Sequence, residues 1–266
     1  MKRNYIAGEW VEGASAAENV NPSDTRDVIG LYARADRAQA GQAIAAAQAA
    51  QPQWAAATPQ ARADALDMVG SEILARKAEL GDLLAREEGK PLAEATGEVI
   101  RAGQIFRFFA GEALRVAGEI VASTRPGMTV EITREPVGVV SVITPWNFPI
   151  AMAAWKIAPA LAYGNAVVFK PADLVPGCAW ALAEILSRAG LPAGTFNLVM
   201  GRGRDIGDTL LEDPRVAAAT FTGSEATGRK VAQACVGRRP MAKFQLEMGG
   251  KNPLVVLDDA DLDTAV

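Results

Sequence analysis

The sequence predicts an α/β fold whose core is an open, mainly parallel β-sheet. After residue 136, short apolar runs typical of buried strands follow one another: VGVVSVI, NAVVFK, FNLVM, AAATFT, KFQL and PLVVL. Helical patterns separate several of these runs, as at 175–189 and 225–236. Strands that alternate with helices form right-handed βαβ units and therefore a Rossmann-like sheet. Ligands of such sheets bind beyond the carboxyl ends of the strands, so the loops there are the candidate sites.

A helical segment precedes the predicted sheet. The stretch from Ala35 to Leu114 is rich in alanine and has helical periodicity. Within it, Thr58 is expected to cap a helix that has Pro59 at its first position. Gly89-Lys90-Pro91 is expected to end that helix. One face of this single helix should carry the apolar residues Leu66, Val69, Ile73, Leu80, Leu83 and Leu84.

A β-hairpin is predicted between the helical segment and the sheet. Two β-prone arms in residues 118–136 flank the turn sequence Arg125-Pro126-Gly127. These arms carry more charge than strands inside a core usually do. The hairpin is therefore expected to stand apart from the main sheet.

Composition excludes several classes of function. The net charge of −4 and the lack of a basic cluster argue against a nucleic-acid partner. No uninterrupted apolar run is long enough to predict a membrane span, and no signal peptide is recognisable, so we expect a cytoplasmic protein. The chain has no histidine, which removes Ser-His-Asp and Cys-His catalysis and most zinc sites, so no metal site is predicted. Its two cysteines, Cys178 and Cys235, lie in helical patterns and are expected to be buried, inert thiols.

Two loops that follow predicted strands carry polar side chains on rigid turns. TPWNFP, after VGVVSVI, presents Asn147 between two prolines, where its amide could stabilise an oxyanion or satisfy its own turn. FKPAD presents Lys170 and Asp173. These two could reach ribose hydroxyls or a phosphate, or they could form a solvated surface pair.

Two further loops are rich in glycine. MGRGRDIG resembles a dinucleotide fingerprint, but Gly203 is followed by Gly207, one position late for that pattern. FTGSEATG leads from a strand into a helix, with Gly223 and Ser224 at the junction. Free amides at that helix start, together with the Ser224 hydroxyl, could hold a pyrophosphate.

Taken in order and spacing, TPWNFP, FKPA, FTGS and EMGGK resemble the motif series of the NAD(P)-dependent aldehyde dehydrogenase superfamily, over essentially the whole chain. The resemblance is greatest to the 2-oxoglutarate semialdehyde (2,5-dioxopentanoate) and succinate-semialdehyde branches. It implies an NAD(P)-binding domain over 1–117 and 137–249, and an oligomerisation hairpin over 118–136. Residues 250–266 would then begin a catalytic domain that is otherwise absent.

The resemblance also assigns catalytic roles. Asn147 corresponds to the oxyanion-hole amide, and Glu247 to the general base that activates water for thioester hydrolysis. Lys156 corresponds to a lysine that assists proton movement near that glutamate. We expect apolar neighbours to shield Glu247, because a weakly polar environment disfavours the carboxylate and suits a general base.

Cofactor contacts follow from the same resemblance. Lys170 corresponds to the ribose-binding lysine and Ser224 to a pyrophosphate contact, while three residues would line the nucleotide cleft: Trp146, Gly203 and Gly223. Asp173 stands where NAD-preferring members often have glutamate, so the cofactor is NAD or NADP, with NAD modestly favoured because a carboxylate repels a 2′-phosphate.

Substrate and assembly are the last expectations. Arg101 matches a position that lines the substrate tunnel in related enzymes, where it could clamp a substrate carboxylate or simply lie on a solvated helix face. The nucleophilic cysteine of the family lies beyond the glutamate motif, so this chain alone should not turn over an aldehyde. The parent enzyme is expected to be a homo-oligomer. One alternative stays open, a non-catalytic nucleotide-binding or assembly module. An ordinary Rossmann dehydrogenase complete in this length is disfavoured by the displaced Gly207 and the lack of histidine.

Overall fold

The main sheet of the computed structural model, which describes residues 1–265, has seven strands in the order β11-β10-β7-β8-β9-β1-β2. Five of them are parallel and form the predicted core: β7 (Val139–Ile143), β8 (Ala166–Lys170), β9 (Phe196–Leu198), β10 (Val216–Gly223) and β11 (Lys243–Met248). The chain runs from β7 outward through β8 to β9, then returns to the other side of β7 for β10 and β11. The strand order therefore reverses between β7 and β10, where open α/β sheets bind ligands.

Two short N-terminal strands extend the sheet: β1 (Asn4–Ile6) pairs antiparallel with β9, and β2 (Glu9–Val11) pairs antiparallel with β1. A separate antiparallel pair follows, β3 (Ser15–Val20) and β4 (Val28–Arg34). The sequence reasoning did not predict these four strands. Those of the main sheet have three residues each, too few for a clear alternation of apolar and polar side chains.

Helices cover both faces of the sheet. The bounds are α1 (Arg37–Ala55), α2 (Pro59–Ala75), α3 (Lys77–Glu88), α4 (Leu92–Ala113), α5 (Ala151–Ala162), α6 (Pro176–Leu186), α7 (Gly203–Glu212), α8 (Glu225–Gly237) and α9 (Leu262–Ala265). Alternate side chains of β7 and β8 enter two cores. Val142 and Phe169 pack with α2 to α6, whereas Val139 and Val168 pack with α1 and α7. The fully apolar strands predicted from the sequence are thus buried on both sides.

The prediction of one helix over residues 59–88 was wrong. Arg76 leaves helical geometry (φ −97°, ψ 17°) and separates α2 from α3. Its guanidinium lies 3.2 Å from Glu72, 2.7 Å from Glu79 and 2.7 Å from Glu184 on α6. The break lets both helices pack around α6 and α4, which a straight helix of that length could not do. The predicted end of α3 is confirmed, with Gly89 in the left-handed conformation (φ 82°).

The predicted hairpin is confirmed as β5 (Glu119–Ala122) and β6 (Thr129–Ile132), an antiparallel pair separate from the main sheet. Gly127 has φ 76° in its turn. Every residue of the two strands is exposed.

The predicted strand PLVVL is not formed. Residues 253–257 are exposed and irregular, and no neighbouring strand within residues 1–265 offers them a hydrogen-bonding partner. An apolar run alone does not make a strand, because its backbone groups must also be paired.

Among residues 1–265, no helix has the length and apolarity needed to cross a membrane.

Candidate active site

A cleft of about 990 Å³ opens at the carboxyl ends of β7, β10 and β11, next to the reversal of strand order. Six residues named by the sequence reasoning line it, although they come from positions up to 101 residues apart (247 − 146): Trp146, Asn147, Lys156, Gly223, Ser224 and Glu247. The walls also include apolar side chains such as Met152 and Pro159. A mostly apolar cleft with a few convergent polar groups is the usual form of a small-molecule site.

Asn147 lies on the loop between β7 and α5, exposed to the cleft. The alternative that its side chain satisfies its own turn is not observed, since within residues 1–265 that amide makes no hydrogen bond. Its main-chain carbonyl instead accepts a hydrogen bond from Lys90 Nζ at 3.1 Å. The side-chain amide is therefore free to donate to a ligand in the cleft.

Lys156 reaches from α5 to the sheet beneath the cleft. Its Nζ donates to Thr220 Oγ1 on β10 at 2.9 Å and to Gln245 Oε1 on β11 at 3.1 Å. Gln245 Nε2 donates in turn to Glu247 Oε1 at 2.8 Å. Burial lowers the pKa of Lys156 to about 8, and the nearby charge of Glu247 opposes that shift. A lysine with this pKa can exchange a proton near neutral pH.

The expected shielding of Glu247 by apolar neighbours was wrong for this chain. Glu247 is exposed because β11 is the edge strand of the sheet, paired only with β10 on one side. Its nearest polar partner is Gln245, two residues earlier on the same face of the strand. The geometry brings the carboxylate to the cleft without enclosing it.

A second group of predicted residues lies beside the cleft, at the ends of β8 and β9. Lys170 is 5% exposed and its Nζ donates to the carbonyl of Pro171 at 2.8 Å. Burial lowers the pKa of Lys170 to about 8, against the opposing charge of Asp173. Gly203, the first residue of α7, adjoins this lysine: a Cβ there would lie 3.9 Å from Lys170 Cε. The three residues converge although they come from two different loops.

Polar groups around the cleft are placed to bind an anion and to form hydrogen bonds with a ligand. Ser224 caps α8, where the amides of the first helical turn point out and can bind an anion. Its hydroxyl already accepts from the Thr227 amide at 3.4 Å, so the amides of Glu225 and Ala226 are the donors left for a ligand. Two hydroxyl oxygens near the strand ends, of Thr144 and Thr222, are buried without a hydrogen-bond partner in the part of the chain described. Buried polar atoms of this kind are usually satisfied by a ligand or water.

Arg101 does not line the cleft. It is exposed on α4, and its guanidinium carbon lies 5.7 Å from the ring centroid of Trp155, which does line the cleft. The arginine thus lies next to a residue of the cleft wall but not in the wall itself. Its role toward a substrate stays a prediction.

The sequence reasoning missed polar residues that share faces with those it named. Gln245 precedes Glu247 by two positions on β11, and the pair Thr220 and Thr222 occupies alternate positions on β10. Alternation along a strand would have indicated them, because residues two apart point to the same side.

The two cysteines are buried, as predicted, and neither lines the cleft. Cys178 lies in the first turn of α6, where its amide donates to Glu87 Oε1 at 2.7 Å. Burial and the adjoining Glu87 raise the pKa of the Cys178 thiol well above its ordinary value, and burial also raises that of Cys235. Such thiols are poor nucleophiles because the thiolate is the reactive form.

The strand order, the cleft at the reversal point and its polar lining define a nucleotide-binding class of α/β protein. The chain belongs to the aldehyde dehydrogenase family, whose family model matches residues 10–266. It is 43% identical over 265 residues to an alpha-ketoglutaric semialdehyde dehydrogenase of Bacillus subtilis, covering 98% of this chain and 54% of that protein. It is 41% identical over 265 residues to a mitochondrial succinate-semialdehyde dehydrogenase of Arabidopsis thaliana, covering 99% and 50%.

Solved structures agree with this assignment. A betaine aldehyde dehydrogenase from Staphylococcus aureus, crystallised with NAD+, superposes with a TM-score of 0.93 at 35% identity, covering 100% of this chain and 53% of that one. An NADP-dependent enzyme of Escherichia coli gives a TM-score of 0.93 at 38% identity, covering 99% and 55%. The predicted family and α/β fold are confirmed, and the chain spans about half the length of the relatives it matches.

Proposed function

We propose that this chain is the nucleotide-binding part of an NAD(P)-dependent dehydrogenase that oxidises a semialdehyde to the acid. The observation that carries the proposal is the convergence of Asn147, Lys156 and Glu247 on one cleft at the reversal of strand order. Relatives named for semialdehydes of short dicarboxylic acids support this substrate class. 2-Oxoglutarate semialdehyde is the favoured member.

In the proposed reaction, Asn147 donates a hydrogen bond to the oxygen of the aldehyde as negative charge develops on it. A donor held by a rigid loop stabilises that charge without reorganising. Glu247 then takes a proton from the water that hydrolyses the acyl intermediate. Lys156, joined to Glu247 through Gln245, has a pKa of about 8, so its deprotonated form can accept this proton and its ammonium form can release one to solvent.

Cofactor binding is proposed on both sides of the cleft. Lys170 would bind ribose hydroxyls, and the amides at Ser224 the pyrophosphate, while Trp146, Gly203 and Gly223 would form the walls. Bound NAD(P) supplies the acceptor for the hydride that leaves the aldehyde carbon. The carboxylate of Asp173 beside Lys170 favours NAD over NADP, because it would repel a 2′-phosphate.

We propose that the nucleophilic cysteine belongs to the half of the family fold that this chain does not span. Cys178 and Cys235 are both buried, and neither lines the cleft. Covalent catalysis needs that thiol, so the chain by itself is expected to bind the nucleotide but not to oxidise an aldehyde. Arg101 is proposed to attract the carboxylate of an acid-bearing aldehyde from behind Trp155.

The test is a calorimetric titration of the 266-residue chain with NAD+ and, in parallel, NADP+. Saturable binding is expected, and Lys170→Met should weaken it about tenfold or more by removing a charged donor while keeping the buried volume. Lys77→Met, at an exposed lysine on α3, is the matched control and should leave the affinity unchanged. A folded chain that binds neither nucleotide would contradict the proposal.

The absence of a thiol from the cleft also favours the alternative of a non-catalytic nucleotide-binding or assembly module. Extending the chain by the missing half of the family fold separates the two functions. A dehydrogenase gains turnover of semialdehydes, which Glu247→Gln then abolishes at the hydrolysis step. A binding module shows nucleotide affinity with no turnover in either form.

A further inference from the structure

A buried ion cluster adjoins the loop that carries Asn147. Lys90 lies in the short connection between α3 and α4, with its side chain only 12% exposed. Its Nζ lies 2.7 Å from Glu98 Oε2 and 3.0 Å from Glu88 Oε2, and the side chains of these acids are 2% and 8% exposed. Ion pairs this enclosed are costly unless each charge has several partners, so their arrangement is specific.

The cluster holds both ends of one segment of that loop. At the first end, Lys90 Nζ donates to the carbonyl of Asn147 at 3.1 Å and lies 4.4 Å from the centroid of the Phe148 ring. At the second end, Glu98 Oε1 accepts from the amides of Ile150 and Ala151, both at 3.1 Å. Glu98 thus uses one oxygen for the lysine and the other for the loop.

The same bonds start α5. Ile150 precedes that helix and offers no side-chain cap, so Glu98 takes the place of a capping residue. A carboxylate at a helix N-terminus is favourable because the unpaired amides there carry partial positive charge. The helix so started carries Lys156 toward the cleft. One cluster therefore contacts both the loop that carries Asn147 and the start of the helix that carries Lys156.

We propose that Lys90 and Glu98 are positioning residues that fix the segment 147–151, and thereby aim the Asn147 amide at the reacting carbonyl oxygen. The inference rests on the proposed function, since it takes Asn147 as the oxyanion donor. Neither residue touches the cleft itself. Their effect is transmitted through the Asn147 carbonyl and the two amides at 150 and 151.

The test uses the intact chain, with amide hydrogen exchange and side-chain NH2 signals followed by NMR. Lys90→Met should speed the exchange of the Ile150 and Ala151 amides by about tenfold or more, as expected for loss of support to a charged hydrogen bond. The Asn147 side-chain cross-peaks, assigned by their loss in Asn147→Asp, should move toward the positions of asparagine in a mobile, unfolded segment. Lys90→Arg keeps the charge and should restore both signals substantially.

Glu98→Gln gives a second route to the same answer, because it keeps the shape of the side chain but removes its charge. Its effect should not add to that of Lys90→Met in the double variant, since both act on one cluster. Lys77→Met is the control and should change neither signal. Exchange rates of the Ile150 and Ala151 amides within about twofold of the wild type in both variants would overturn the inference. A uniform rise in exchange rates that includes the amides of β8 would also overturn it.

Nucleotide titration of the same variants separates this inference from the proposed function. A chain whose loop loosens in Lys90→Met but which never binds NAD+ keeps the positioning role and loses the proposed function. A chain that binds NAD+ but whose loop is unchanged in Lys90→Met keeps the proposed function and loses the positioning role.

Discussion

Lys156 carries a charge in a place that disfavours it. The residue is 6% exposed, and burial brings its pKa to about 8, whereas an unfolded lysine titrates near its ordinary value of 10.5. Between these two pH values the unfolded chain binds more protons than the folded one. The free energy of unfolding contributed by this residue therefore rises with pH across that window.

We expect the stability of the wild type to increase relative to Lys156→Met between pH 8 and pH 10.5, because the cost of the buried charge disappears as the folded lysine loses its proton. Urea denaturation of both proteins at several pH values measures the difference directly. Comparing the two proteins cancels the tyrosines and cysteines that titrate in the same range. A difference that stays constant over the window would show that Lys156 keeps an ordinary pKa.

At this scale the sequence predicted candidate residues that meet in one cleft, but not all of their environments. Asn147 and Glu247 could be named because each follows or ends a recognisable strand. The exposure of Glu247 could not be predicted, because it depends on whether another strand pairs with β11.

At the scale of elements, α6 depends on a residue from another helix. Val175 precedes α6 and gives it no side-chain cap. The buried Glu87 of α3 accepts instead from the amides of Gly177 and Cys178, both at 2.7 Å, and from Asn19 Nδ2 at 2.7 Å. Burial raises the pKa of Glu87, and these hydrogen bonds oppose that shift.

We expect Glu87→Ala to lower the free energy of unfolding by about 1.5–3 kcal/mol or more, because it leaves three buried donors without an acceptor. Thermal and urea unfolding measure the loss. Glu94→Ala, at an exposed position on α4, is the matched control and should change stability by no more than about 0.5 kcal/mol. Equal effects of the two substitutions would mean that Glu87 does not cap α6.

The elements themselves were largely predictable, and the exceptions have a common cause. Apolar periodicity continued across Arg76, yet ion pairs to three acids end α2 there. The run at 253–257 had strand composition but has no partner among the described residues. Arg76 has a distant partner in Glu184 and the run at 253–257 has none, and in neither place does the local pattern report which distant segment is available.

At the scale of the whole molecule, the hairpin exposes an apolar face. Val121 and Val130 are directly paired across its two strands, and Ile132 lies on the same side. Their exposed fractions are 42%, 40% and 46%. Apolar side chains grouped in this way favour association with another protein surface.

We expect the chain to self-associate through this face, and Val130→Lys to shift it toward the monomer by placing a charge in the contact. Sedimentation velocity over a concentration series measures the distribution. Val28→Lys, at a 50% exposed position of β4, is the control and should leave the distribution unchanged. A wild type that is monomeric throughout would contradict the assignment of the hairpin as an oligomerisation element.

The sequence by itself determined the fold class, the strand-end loops and most of the candidate residues, because apolar periodicity and turn residues report each segment's own environment. Only the tertiary structure decided which of those residues meet. Lys156 bonds to a residue 89 positions away, Lys90 to one 57 away and Glu98 to one 52 away. Those pairings depend on the order of strands in the sheet and on how the helices cross it, which no local pattern encodes.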